Sequence, residues 1–69
     1  MKTLVITTNK GATRTYSLTP TSQGYDVQKV TGFFGSKTLI GHGSSLENAV
    51  QVARLDCGDS IVRSTKLRG

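Results

Sequence analysis

The sequence predicts an α+β fold: a small four- to five-stranded, mainly antiparallel sheet with one helix packed on one face. Three observations point to it. Residues 44–58 carry a helical apolar pattern, short Thr- and Val-rich runs on either side alternate at period two, and turn-forming residues separate those runs. The predicted order is ββββαβ, and residues 1–69 form one α+β domain.

The helix is the cover that the strands need. With Leu46 as origin, Ala49, Val50, Ala53 and Cys57 follow at offsets of three, four, seven and eleven and fall on one stripe. Glu47, Asn48, Gln51 and Arg54 occupy the other side, together with Leu55, which lies nearly opposite Leu46. Ser44 and Glu47 have the spacing of a capping box, and Gly58 is suited to a positive φ at the helix stop.

The first strand is read over Lys2 to Thr8, with Asn9-Lys10-Gly11 as a three-residue hairpin loop. Pairing Thr8 with Ala12 sets Ile6 opposite Arg14, Leu4 opposite Tyr16 and Lys2 opposite Leu18. Leu4, Ile6, Tyr16 and Leu18 then share one face, and threonines and Ser17 share the other with Val5. A two-residue loop would mix these faces, so the alternation selects the register. Pro20 to Gly24 reads as a second turn. Tyr25 and Val27 resume the alternation and Val30 breaks it, which suggests a bulge near Gln28-Lys29 or a strand covered on both sides. Gly32 to Ser36 reads as a hairpin tip, Lys37 to Ile40 as a fourth strand, Gly41-His42-Gly43 as its end, and Ser60 to Leu67 as a fifth strand.

Composition narrows the function. A chain of 69 residues buries a small core, so a homodimer is one expected source of added stability. A single cysteine excludes an intramolecular disulfide, and Cys57 with the lone His42 cannot complete a four-ligand zinc site, so neither metal nor cofactor is expected. No apolar run reaches the roughly 18 to 20 residues of a membrane span, and Met1-Lys2-Thr3 leads into a strand, not into a signal peptide. An unpaired thiol fits a reducing compartment, so the expected location is cytoplasmic.

The net charge is +5. Glu47, Asp56 and Asp59 lie in or just after the helix, whereas Lys2, Lys10, Arg14, Lys29, Lys37, Arg63, Lys66 and Arg68 lie outside it and face only Asp26. Such an excess favours polyanionic partners through long-range attraction and counterion release.

Catalysis is not expected. His42 and Cys57 bracket the helix, and at about 1.5 Å of rise per residue they stand roughly 20 Å apart, far beyond the reach of a nucleophile and its base. Asp56 and Asp59 beside Cys57 also disfavour a thiolate. Binding is the better reading, and three groups of residues suggest it. Arg14, Lys29, Lys37, Arg63, Lys66 and Arg68 are assigned to phosphates on the sheet face away from the helix. Phe33 and Phe34, between glycines, are assigned as aromatic contacts, since neighbours on an extended segment point to opposite faces and one is left exposed. His42, Gly43, Ser44 and Ser45 precede the helix and form a weaker anion-binding loop, which lacks the lysine and spacing of a phosphate-binding loop.

Two functions fit these features. One is a non-catalytic module binding nucleic acid, DNA or RNA, through the open sheet face. The other is a protein-interaction module, such as an accessory inhibitor or adaptor from a phage or mobile element. It would dock on a larger protein with an acidic surface through a sheet edge, the Gly32–Gly35 tip or the helix surface near Leu55.

Overall fold

The computed structural model describes residues 1–31 and 35–69. It contains β1 (Lys2–Thr8), β2 (Thr13–Thr21), β3 (Gly24–Thr31), β4 (Ser36–Gly43), the helix α1 (Leu46–Cys57), a 3-10 turn (Asp59–Ile61) and β5 (Val62–Arg68). The strands form one antiparallel sheet in the order β4-β3-β2-β1-β5. The predicted class, element order and single covering helix are all present.

The β1–β2 hairpin has the predicted register, with Lys2, Leu4 and Ile6 opposite Leu18, Tyr16 and Arg14. Gly11 makes the loop possible, at φ +82°, with its N–H donating to the Thr8 carbonyl at 3.0 Å. The core lies between the selected face and the helix: Leu4, Ile6, Tyr16, Leu18, Val27, Ala49 and Ala53 are buried. Leu46, Val50, Val52 and Cys57 pack against it from the helix, so the predicted stripe is the observed one with Val52 added.

Small residues set how closely the helix approaches. A methyl group on Gly43 would stand 2.3 Å from the Ala49 nitrogen, and one on Gly41 would stand 2.8 Å from Val52 Cγ1. The helix therefore rests on bare backbone at its first turns. Gly41-His42-Gly43 accordingly continues β4, paired with Val27, Asp26 and Tyr25, and does not end the strand as predicted.

The fifth strand begins at Val62 and not at Ser60, because Asp59–Ile61 forms the 3-10 turn, and three further features differ from expectation. Pro20 belongs to β2, opposite Tyr25, and the turn is only Ser22-Gln23. Its missing N–H costs no ladder bond there, because β1 begins opposite Leu18 and leaves that side of Pro20 unpaired. The bulge sits in β4, not β3: Val27 faces Gly41 while Gln28 faces Leu39, so Ile40 is the extra residue and turns to the core. The cap is Ser45, not Ser44: its hydroxyl accepts from the Asn48 N–H at 3.1 Å, while Asn48 Oδ1 accepts from the Ser44 N–H at 3.2 Å. Asn48 thus takes the part expected of Glu47. Gly58 closes the helix at φ +103°, donating to the Arg54 carbonyl at 2.9 Å.

Candidate functional site

Strand register turns the face away from the helix into a grid. One row runs Lys66, Val5, Thr15, Val30, Lys37, from β5 to β4, when the β2–β3 register is continued by one residue. The next runs Arg68, Thr3, Ser17, Gln28, Leu39. Because side chains alternate along each strand, every member of these rows points to the same, uncovered side. Lys37, Lys66 and Arg68 are exposed at the two edges, Leu39 stands exposed beside Lys37 on the β4 edge, and Thr3, Val5, Thr15, Ser17, Gln28 and Val30 lie between. Met1 lies across this floor, its thioether accepting from the Ser17 hydroxyl at 2.9 Å and from Lys37 Nζ at 3.5 Å.

The six predicted phosphate contacts are thereby divided. Lys37, Lys66 and Arg68 share the open face. Arg14 sits opposite Ile6 and Lys29 opposite Tyr16, which puts both on the side of the sheet that the helix covers. Arg63 falls at a bulge, since Thr8 faces Val62 and Thr7 faces Ser64, and it is exposed there. Phe33 and Phe34 lie outside the described residues.

Lys29 has a different partner. Its Nζ lies 3.9 Å from Asp56 Oδ2, the same oxygen that accepts a hydrogen bond from the Tyr16 hydroxyl at 2.9 Å. Burial, and next the bond to Asp56, push the Tyr16 phenol far above its ordinary pKa of 10.0, so it stays a donor. Asp56 is thus used to tie the last helical turn to β2 and β3. A buried tyrosine needs a hydroxyl partner, and that need was the available signal for this contact.

The anion-loop residues are not gathered. His42 points to the open face, with Nδ1 2.9 Å from Asp26 Oδ1 and Nε2 3.1 Å from the Gln23 carbonyl. Strand alternation sends it away from the helix N-terminus, and the Ser45 hydroxyl is engaged in capping. Both ring nitrogens face acceptors, which suits an imidazolium donating twice. The Asp26 bond, then the Gln23 carbonyl, raise the His42 pKa above its ordinary 6.5. His42 and Cys57 belong to opposite sides of the sheet, so they form no dyad within the chain.

Among the described residues there is no pocket and no group of three or more metal-ligating side chains. Among the described residues no helix is long and apolar enough to cross a membrane. Comparison with protein-family models, with curated proteins and with solved structures gives no match to this chain.

Proposed function

We propose that the chain is a small, basic, non-catalytic module that binds nucleic acid through the sheet face opposite the helix. The observation that carries this reading is the group of three cations that the strand register brings to the open face, although Lys2, Arg14 and Lys29 lie on the helix side and the covered side is cationic too. Lys37, Lys66 and Arg68 stand on the open face, where the acid is Asp26, already paired with His42. Glu47 and Asp56 belong to the helix on the other side. Phosphates approaching the open face meet the cations there, with the hydroxyls of Thr3 and Thr15 between the sheet's edges. The bond to Asp26 raises the His42 pKa above its ordinary 6.5, which favours the protonated ring that offsets the Asp26 charge.

The test is a fluorescence-anisotropy titration of mixed-sequence nucleic acid at about 50 and 200 mM salt, where release of counterions makes affinity fall steeply. Absence of binding at low salt, or binding indifferent to salt, removes the proposal. A second reading, docking on a larger protein, rests on Leu55, which is 64% exposed on the outer surface of the helix. Loss of partner capture on Leu55→Asp, with nucleic-acid affinity absent, would favour it.

A further inference from the structure

Going beyond that reading, we infer that the outer edge of β5 takes an extended acidic peptide segment, in which carboxylates alternate with apolar side chains, as an added strand. β5 carries Arg63, Lys66 and Arg68 and no acid, and every residue from Arg63 to Arg68 is exposed. It ends the sheet, pairing with β1 alone. Which of its main-chain groups are free follows from the hairpin. Thr8 donates its N–H to the Ala12 carbonyl at 2.8 Å, and its own carbonyl accepts from Gly11, so the even-numbered residues of β1 turn their main-chain groups to β2 and the odd-numbered ones to β5. Val5 and Thr3 therefore bond Lys66 and Arg68, while Thr65 and Leu67, opposite Ile6 and Leu4, turn their N–H and carbonyl groups outward. An edge of this kind is a template for a further strand.

The side chains choose the strand. Lys66 and Arg68 point to the open face and Thr65 and Leu67 to the helix side, where Leu67 remains 39% exposed although its partner Leu4 is buried. Consecutive residues of an antiparallel strand laid along Lys66, Leu67 and Arg68 thus meet a cation, an apolar surface and a cation. Acid, apolar and acid in turn complement them. A second copy of β5 does not, because it would set the same three cations against one another. The other edge, β4, is bulged at Ile40, which breaks the regular ladder that an added strand needs. From Ser64 to Arg68 the β5 ladder has no such break.

The probe is a labelled, end-capped peptide of alternating glutamate and valine, titrated by anisotropy at low salt beside a peptide of the same composition with its glutamates in one block. The alternating peptide is expected to bind at least tenfold more tightly and to weaken as salt rises. Equal affinities would mean that net charge alone attracts the peptide, and would overturn the inference. Thr65→Pro tests the edge itself, since it removes an outward N–H and no bond to β1. It should lower affinity for the alternating peptide at least tenfold, with a thermal melt to verify that the variant is folded. N-methylation of the peptide makes the same test on unaltered protein. In the antiparallel arrangement the valine amides donate to the Thr65 and Leu67 carbonyls, so methylating them should cost at least tenfold, whereas methylating the glutamate amides, which point away, should be tolerated. Unchanged affinity of folded Thr65→Pro, or of the valine-methylated peptide, overturns the inference. Absence of peptide binding overturns it whether or not an oligonucleotide binds, so its failure is separate from that of the nucleic-acid reading.

Discussion

Gly43→Ala should be a strongly damaging single-methyl change at the contact between the sheet and the helix. The added Cβ would lie 2.3 Å from the Ala49 nitrogen and 2.6 Å from its Cα, both backbone atoms of the helix. Neither can rotate away, so the helix must lift from β4 and loosen Ala49 and Ala53. Overpacking costs about 1–3 kcal/mol even where side chains can adjust, and here they cannot, so about 3 kcal/mol or more is expected. A 69-residue domain holds on the order of 3–10 kcal/mol in total, so a large part of the stability would go. Gly11→Ala is the control. Its Cβ meets nothing within 4 Å, but φ is +82°, so it suffers backbone strain without a clash, about 1 kcal/mol. Urea unfolding followed by circular dichroism would measure both. If Gly43→Ala were within about 0.5 kcal/mol of the parent, or no worse than Gly11→Ala, the seating of the helix on bare β4 backbone would be refuted.

The remaining predictions concern the cap, the phenol and the imidazole. Ser45→Ala should cost about 1 kcal/mol and Ser44→Ala less than about 0.5, by the same unfolding assay; the reverse order would restore Ser44 as the cap. Tyr16→Phe removes the donor to Asp56, whose side chain is 29% exposed, so about 1–2 kcal/mol is expected, below the top of the range for bonds to charged groups. A change under about 0.5 kcal/mol would show the bond to be idle. His42 should titrate above 6.5 by NMR and fall back toward it in Asp26→Asn. Because the folded state holds this proton more tightly, the associated stability is full below 6.5 and is lost as pH rises through the higher folded-state value. A wild-type His42 titrating at or below 6.5 would contradict the double-acceptor arrangement.

The parts of the fold legible in sequence were those set by period. The β1–β2 register followed from the parity of Leu4, Ile6, Tyr16 and Leu18, and the helix stripe from the spacing of Leu46, Ala49, Ala53 and Cys57. What escaped were places where a tertiary contact overrides local preference. Gly41 and Gly43 look like strand breakers, yet in the fold their lack of a side chain admits the helix. Pro20 looks like a turn residue, but it falls beyond the end of its neighbour strand, where its missing N–H costs nothing. The bulge at Ile40 depends on β4 keeping both Ile40 and Gly41 on the helix side, which no run of residues announces. At the candidate site, parity was informative and was underused. Arg14 shares the parity of Tyr16, and Lys29 that of Val27, so period two already places both on the covered side. Grouping cations by charge alone merges two faces that the pleat keeps apart.

The claim that function resides on the open face is tested most directly by two double variants of equal charge change. Lys66→Ala/Arg68→Ala removes cations from the open face, whereas Lys2→Ala/Arg14→Ala removes them from the side of the helix. In a duplex titration at low salt the first pair should lose at least tenfold in affinity and lower the salt slope by about two, while the second should change affinity less than about threefold. Equal losses from both pairs would mean that net charge alone drives binding and that the open face has no special part in it.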